Sequence, residues 1–369
     1  MSTEFRSQRR GGKGLKGMET ARVNEEDEEA DDFVEHLFTA SSHDWLMFFT
    51  NTGRVFAERV YQIPEGGRTA KGRSIKNLLN LKPEEKVASV LRIPAVGEGD
   101  KDTTWTPEKF VVFATHNGVV KRTNLGEFRN IRKDGIIAIN INEGDYLIGC
   151  ALTEGRNELV LVSHDGMSVR FKEYAERVEP GAEPEEAAEE SDPDDSAGEA
   201  AEPGAAKEKG GLRDMGRQAT GVRGIRLSKG DYVVSLAVVD TSAMFLVASE
   251  NGIGKRSQFD EYRITSRGGK GVKTMKTTDK TGKVVGALVV HEADDVMLMT
   301  NTGQSVRIPV NQIREAGRAT QGVKLISLRE GELLQDIARV INDGEDPASE
   351  VVPVEGEAPA SDEAAPEQA

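Results

Sequence analysis

The chain has 369 residues, with 48 Lys plus Arg against 63 Asp plus Glu, so its formal net charge is −15 at pH 7. Apolar residues make up 37 % of the chain, and the 39 glycines bring the composition close to the ~45–50 % usual for globular domains. No apolar run approaches the ~20 residues that cross a bilayer, and the N-terminus has no signal region, so we expect a cytoplasmic domain without membrane spans. Because Cys150 is the single cysteine and the histidines lack metal-ligand spacing, we also expect no disulfide and no bound metal.

Acidic residues are concentrated in a few segments. Residues 179–210 and 343–369 contribute −10 and −9 to the net charge, which leaves +4 for the rest of the chain. Because residues 25–35 hold eight further acids and no base, the remaining body is near +12. Low hydrophobicity with blocks of like charge predicts a disordered insert at 179–210 and a disordered tail at 343–369, within and after a domain at 1–342. These segments either keep the chain soluble or compete with a polyanion for a basic face.

Five segments share one pattern, in which a short apolar run is followed by Thr or Ser and by a polar turn closed with glycine. The runs have four to six residues and are rich in β-branched, Phe and Met side chains, which favours strands over helices. Asn-Gly and Asp-Gly pairs supply the positive φ angles of tight hairpin turns. Each segment therefore predicts a β-hairpin, and the glycines that close the turns are Gly53, Gly118, Gly166, Gly252 and Gly303.

A further apolar strand follows each hairpin, and the unit repeats about every 50 residues once the acidic insert is set aside. The pattern gives roughly four strands per unit and no long helix. Repetition of such units around an axis leaves only short sheet edges exposed, so the sequence predicts an all-β, propeller-like radial array of blades. The predicted downstream strands begin at Lys86, Tyr146, Tyr232, Val284 and Leu333.

Loops rich in glycine and basic residues form a third repeated element. There are six such loops but only five hairpins, which suggests that the chain begins inside a blade. The first loop follows Thr3-Glu-Phe-Arg6 much as a later one follows Gly126-Glu-Phe-Arg129. The six loops are residues 8–14, 66–72, 131–135, 216–221, 266–271 and 317–322.

Arg and Lys interleaved with Gly are suited to binding a phosphate backbone, because glycine permits a close approach of the main chain and the cations displace counterions. An arginine also recurs four residues after the turn glycine in four of the five hairpins, which predicts a basic rim. The alternative for any single loop is an ordinary polar turn. We predict DNA contacts from Gln8, Arg9, Arg10, Gly11, Gly12, Lys13, Gly14, Arg68, Lys71, Arg73, Lys121, Arg122, Arg132, Lys133, Arg170, Arg217, Arg223, Lys255, Arg256, Arg267, Lys270, Arg307, Arg318 and Lys324.

Motifs for catalysis and for base-specific recognition are missing from the sequence. There is no phosphate loop ending in Gly-Lys-Ser or Gly-Lys-Thr, no Gly-x-Ser-x-Gly motif and no carboxylate cluster for a metal. No helix or ribbon carries Arg, Asn or Gln arranged for a DNA groove. We therefore expect no catalytic residue and no cofactor in this chain, and DNA contacts that do not depend on base sequence.

The run Gln8-Arg-Arg-Gly-Gly-Lys-Gly14 resembles the seven-residue box that distinguishes the A polypeptide of bacterial DNA gyrase, a type IIA topoisomerase. The resemblance extends over about residues 3–340 and includes Thr220-Gly-Val-Arg-Gly-Ile-Arg-Leu227. It implies a six-bladed β-pinwheel that wraps duplex DNA around its basic perimeter, so that the attached cleavage core introduces negative supercoils. The related topoisomerase IV domain has no intact box.

The resemblance also implies partners and marks departures from the family pattern. The expected partners are double-stranded DNA and the catalytic core of gyrase, which consists of the rest of the gyrase A polypeptide and the gyrase B polypeptide. The holoenzyme is expected to use ATP and Mg²⁺ and to lie in the bacterial cytoplasm, at the nucleoid. The catalytic tyrosine and its partner arginine lie outside this chain, the opening hairpin of the first blade is missing, and the acidic insert is not a general family feature. Two alternatives remain open: a propeller-like scaffold that binds acidic proteins, and a topoisomerase IV-type domain.

Overall fold

The computed structural model describes residues 15–16, 40–66, 73–97, 104–174, 176–177, 208–209 and 211–341. Strands and short 3-10 turns form the regular structure of these residues, which include no α-helix. No helix in this part of the chain is long and apolar enough to cross a membrane. The 3-10 turns are Val60–Gln62, Ile75–Asn77, Leu125–Phe128, Phe259–Glu261 and Val310–Gln312.

Five hairpins of six-residue strands are the main repeated element, as predicted. In each turn the closing glycine has a positive φ, from 69° to 84°, and its N–H donates to the carbonyl three residues earlier. The hairpins are β2 (Trp45–Thr50) with β3 (Arg54–Arg59), β5 (Phe110–Thr115) with β6 (Val119–Asn124), β9 (Glu158–Ser163) with β10 (Met167–Lys172), β15 (Met244–Ser249) with β16 (Ile253–Gln258), and β19 (Asp295–Thr300) with β20 (Gln304–Pro309).

Two further sets of strands flank the hairpins. The first set lies where the downstream strands were predicted and consists of β4 (Val87–Ile93), β8 (Leu147–Thr153), β14 (Val233–Val238), β18 (Val284–Val290) and β22 (Leu334–Val340). The second set consists of two-residue strands, each directly after a basic loop: β1 (Leu15–Lys16), β7 (Ile136–Ile137), β13 (Val222–Arg223), β17 (Val272–Lys273) and β21 (Val323–Lys324). A separate short ladder joins β11 (Glu176–Arg177) to β12 (Glu208–Lys209).

The strands form five four-stranded antiparallel sheets in a propeller-like ring. In each sheet the downstream strand pairs with the first strand of the hairpin, and the two-residue strand pairs with the second, so that it lies on the opposite edge. The two-residue strand comes from the following repeat, as when β13 pairs with β6 and β17 with β10. The fifth sheet takes its short strand from the N-terminus, with Leu15 opposite Ser305. Adjacent blades are therefore linked by exchanged strands.

The structure corrects the predicted number of blades from six to five among the described residues. Blade number follows the hairpins, of which there are five, because each two-residue strand completes the sheet of another repeat instead of starting its own. The first basic loop thus precedes the strand that completes the fifth sheet. Counting the six loops overestimated the blades for this reason.

Apolar cores lie between consecutive sheets. Along each central strand, alternate residues enter the two neighbouring cores: Phe245 and Val247 pack in one, while Leu246 and Ala248 pack in the other. Both faces of the central strands are covered, which explains why the hairpins read as continuous apolar runs. The downstream strands of successive sheets contact one another in the order β4, β8, β14, β18, β22, and they form the inner edges of the sheets. The two-residue strands consequently lie on the outer edges.

The β11–β12 ladder lies at the two ends of the predicted acidic insert. Glu176 is opposite Lys209, and Arg177 is opposite Glu208. The residues between the two strands, and the predicted tail at 343–369, lie outside the described residues.

Candidate nucleic-acid interface

A band of main chain runs along the outer edges of the sheets. We call this band the rim and define it as loops 131–135, 216–221, 266–271 and 317–322 with the two-residue strands β7, β13, β17 and β21 that follow them. Hydrogen bonds link a loop of the band to the chain that follows the preceding short strand: Gly268 N–H donates to Gly224 O at 2.7 Å, and Lys276 N–H donates to Thr320 O at 3.1 Å. The loops are therefore held in fixed positions relative to one another.

Three of the rim strands present an exposed cation at their second residue. Arg223, Lys273 and Lys324 occupy this position in β13, β17 and β21, and all three are exposed. The fourth strand, β7, has the exposed apolar residue Ile137 there. Repetition of one cation at one position of consecutive sheets produces a row of positive charge along the rim.

The remaining predicted cations of the loops are exposed or half-buried. Arg73, Arg132, Lys133 and Lys270 are exposed. The loop arginines Arg217, Arg267 and Arg318 are half-buried, and their guanidinium groups reach residues of the rim or of the chain beside it. Arg267 Nε donates to Gly211 O at 2.9 Å, Arg318 Nη1 donates to Lys273 O at 2.6 Å, and Arg217 Nε lies 3.8 Å from a carboxylate oxygen of Glu127.

The structure corrects the role predicted for the cations inside the hairpins. Lys121, Lys255, Arg170, Arg256 and Arg307 are buried within the sheets. Their charged groups are covered by the protein instead of being presented at its surface. The side chain of the sixth residue of this set, Arg122, is also mostly covered, with 11 % exposure.

The repeated arginines instead connect each hairpin to the chain that follows it. Arg170 Nη1 donates to Phe259 O at 2.6 Å and to Tyr262 O at 3.1 Å, while its Nε donates to Glu158 at 2.7 Å. Arg256 Nε donates to Ile313 O at 2.8 Å. These groups satisfy carbonyls of the 3-10 turns after the next hairpin, so the repeat of arginine reflects the assembly of blades.

Arg122 and Arg307 have carboxylate partners. Arg122 Nη2 lies 2.6 Å from Asp214, which belongs to the segment before loop 216–221. Arg307 Nε lies 2.6 Å from Asp295 on the paired strand, with both side chains at least 96 % buried. A buried ion pair of this kind is a poor candidate for contact with a ligand.

Two buried lysines lie beneath loops 216–221 and 317–322. Lys121 Nζ donates to Gly216 O at 3.0 Å, to Arg217 O at 2.7 Å and to Ala138 O at 2.6 Å. Burial lowers the pKa of Lys121 to about 7, and the charge of Arg217 acts in the same direction.

Lys255 repeats the arrangement one loop further on. Its Nζ donates to Gly317 O at 2.9 Å, to Arg318 O at 2.7 Å and to Ser257 Oγ at 3.0 Å. Burial lowers the pKa of Lys255 to about 8.

The closing glycines of loops 216–221 and 317–322 are required by the fold. A Cβ on Gly221 would lie 2.5 Å from Val120 O, and one on Gly322 would lie 2.5 Å from Gly254 O. Both glycines also have positive φ. By contrast, a Cβ on Gly216 would meet nothing within 4 Å. The closing glycines therefore permit the loops to lie close to the hairpin backbone.

Sequence reasoning missed some cations that the structure exposes on or beside the rim, among them Lys273 and Lys276. The signal for Lys273 is present in the sequence, because Gly-Val followed by a cation recurs at Arg223, Lys273 and Lys324. Of the other predicted residues, the box at 8–14 and the pair Arg68 and Lys71 lie outside the described residues. Within the described part of the chain, no group of three or more His, Cys, Asp or Glu residues could hold a metal ion.

Comparison with known proteins identifies the family. A family model described as "DNA gyrase C-terminal domain, beta-propeller" matches residues 2–29, 44–94, 109–154, 157–175, 211–240, 243–291 and 294–341. The chain belongs to this family. The resemblance found in the sequence is thereby confirmed.

Curated relatives agree with the family assignment. The gyrase A polypeptide of Neisseria gonorrhoeae is 40 % identical over 350 residues, which are 93 % of this chain and 36 % of that protein. The corresponding polypeptide of Mycolicibacterium smegmatis is 38 % identical over 348 residues, or 94 % of this chain and 35 % of that protein. The chain thus spans about a third of the length of these gyrase relatives.

Solved structures agree with the fold. One described as a DNA gyrase A C-terminal domain has a TM-score of 0.66 at 22 % identity and covers 92 % of this chain and 94 % of its own. A second, described as the C-terminal domain of DNA topoisomerase IV, has a TM-score of 0.61 at 22 % identity and covers 81 % of this chain and 80 % of its own. At this identity the likeness concerns the propeller-like fold alone.

Proposed function

We propose that this chain binds duplex DNA along the rim and wraps it, as the DNA-wrapping part of a gyrase. The row formed by Arg223, Lys273 and Lys324 on three consecutive rim strands is the observation that carries the proposal. A curved row of cations fits the phosphate backbone of a bent duplex, and counterion release supplies its affinity. Family membership and the gyrase relatives support the same function.

Recognition by this surface is independent of base sequence. The exposed cations lie on short strands and loops, and no α-helix among the described residues is available to enter a major groove. Bending DNA around the ring costs several kilocalories per mole over each short site, so wrapping requires contacts distributed along the whole path. The half-buried loop arginines Arg217, Arg267 and Arg318 extend the row between the strands.

The biological setting that we propose follows from the gyrase relatives. This chain would wrap DNA next to a cleavage core formed by the rest of the gyrase A polypeptide and by the gyrase B polypeptide, in a type II topoisomerase of the bacterial cytoplasm and nucleoid. ATP and Mg²⁺ would act in that core, while this chain contributes no catalytic residue. Wrapping in one sense would then make supercoiling by the complete enzyme directional.

A topology assay tests the proposal. A relaxed circular DNA is incubated with the chain and a nicking-closing enzyme, and the linking number is measured after removal of protein. Wrapping predicts a change in linking number that grows with the ratio of protein to DNA. An unchanged linking number at saturating protein would contradict wrapping, and the absence of duplex binding would favour the scaffold that binds acidic proteins.

A further inference from the structure

The two buried lysines occupy a position of the hairpin that the fold does not reserve for a cation. Three residues after the turn glycine, the five hairpins carry Phe56, Lys121, Val169, Lys255 and Val306. Three of five blades therefore fold with an apolar side chain there. A buried ammonium is costly unless it is hydrogen-bonded, so its presence under two loops calls for a specific role.

The loops above these lysines differ in sequence from a loop above valine. Residues 216–221 and 317–322 both begin Gly-Arg and contain no lysine. Loop 266–271, whose short strand pairs with the Val169 hairpin, contains Lys270 instead. Each of these loops thus contains one arginine and is accompanied by one lysine. The lysine is either exposed in the loop or buried beneath it.

The hydrogen bonds of the buried lysines fix the orientation of two successive peptide groups. Lys121 binds the carbonyls of Gly216 and Arg217, and Lys255 binds those of Gly317 and Arg318. Because a trans peptide directs its N–H opposite to its C=O, the N–H groups of the next residues point away from the lysine. The groups directed outward are those of Arg217, Gln218, Arg318 and Ala319.

A carboxylate already accepts a hydrogen bond from one of these outward N–H groups. The N–H of Arg318 donates to Glu261 Oε2 at 2.5 Å, although Glu261 itself is exposed. An anionic oxygen therefore fits at this place in the loop. Main-chain N–H groups that point together at one spot form a concave anion site, and the ammonium behind them adds positive charge.

We propose that Lys121 and Lys255 are positioning residues that orient two N–H groups of each Gly-Arg loop to bind one backbone phosphate, with the loop arginine beside it. The ligand class is an oxyanion with tetrahedral oxygens, and in loop 317–322 it would displace Glu261. This proposal rests on the proposed binding of DNA at the rim. Lys121 and Lys255 do not contact the phosphate.

The lysines make this site dependent on pH. Arg217 and Cys150 are the charged or titratable groups that act on Lys121, and Arg318 and Glu261 are those that act on Lys255. Only the protonated amine has the three N–H donors that the three hydrogen bonds of each lysine require, and a bound phosphate favours that form. The affinity for DNA should therefore fall as pH rises through the lowered pKa values, by up to about tenfold between pH 7 and pH 8 if both lysines stay protonated in the complex.

The test compares the double variant K121M/K255M with K270M, which removes an exposed rim lysine. The apolar residues at the equivalent positions indicate that the double variant folds, and thermal unfolding checks this. Affinity for a short duplex is measured from pH 7 to pH 8 at constant ionic strength. The wild-type chain and K270M should lose affinity with pH, while K121M/K255M should not. An equal loss in the double variant would overturn the proposal.

A second measurement avoids DNA. Sulfate, whose charge is constant in this pH range, is added to isotope-labelled chain while amide resonances are recorded. The N–H signals of Arg217, Gln218, Arg318 and Ala319 should shift in the wild-type chain and not in K121M/K255M. Unmoved signals in the wild type would overturn the anion site even if duplex binding persists. Lack of duplex binding with these shifts intact would refute the proposed function instead.

Discussion

Replacing Arg170 with methionine distinguishes a structural arginine from one that contacts DNA. The side chain is 7 % exposed, and its loss leaves the carbonyls of Phe259 and Tyr262 and the carboxylate of Glu158 without this donor. Removing one partner of a buried ion pair costs ~3–5 kcal/mol. We expect the lower end, about 3 kcal/mol, because Glu158 keeps 24 % exposure and regains some hydration.

The expected change can be measured by thermal unfolding and by DNA binding together. At ~2–4 °C per kcal/mol for a domain of this size, R170M should lower the melting temperature by about 6–12 °C. The dependence of duplex affinity on salt should remain that of the wild-type chain below the transition. The matched control, R223M, removes an exposed rim arginine and should do the opposite, since it leaves the melting temperature unchanged and reduces the salt slope by about 0.9. An unchanged melting temperature for R170M with a reduced slope would refute the structural role.

Two further predictions concern segments outside the described residues. In the complete enzyme, changing Arg9, Arg10 and Lys13 to alanine should abolish supercoiling but retain relaxation and near-normal DNA affinity, because the other loops supply most phosphate contacts. Linking-number and affinity assays check this. A collapse of affinity would make the box the main binding site. Deleting 343–369 should tighten duplex binding at 0.01 M salt, where the screening length is ~30 Å, because nine uncompensated acids are removed. Equal affinities with and without the tail would leave it only a solubilising role.

Much of the fold could be predicted because two strong local signals coincide in every repeat. The turn glycines mark the hairpins, and the continuous apolar runs mark strands covered on both faces. The first residues of the downstream strands were predicted to within one residue, as at Leu147 and Val233. The two-residue strands were not located because two residues are too few to show a strand pattern, and because each strand pairs with a hairpin of another repeat. Consequently the blade count was wrong.

The candidate site was harder to predict because cations recur along the sequence for two different reasons. A cation that recurs in every blade can serve DNA binding or the assembly of the ring, and sequence periodicity does not distinguish them. Arg170 and Arg256 recur because each satisfies carbonyls of the following 3-10 turn. Arg223 and Lys273 recur on the outer edge. Only the placement of the sheets separates the two classes.

The salt dependence of duplex binding tests the proposed role of the rim most directly. The variant R223M/K273M/K324M removes the row of exposed cations, and K82M/K86M/K280M removes three exposed lysines near the inner strands and hairpin turns as the control. On double-logarithmic axes, the wild-type chain should show a steep slope, and the rim variant should be shallower by about 2.7 at ~0.9 per phosphate contact. The control should keep the wild-type slope. A rim variant with an unchanged slope, or a wild-type chain whose affinity is insensitive to salt, would contradict binding of DNA along the rim.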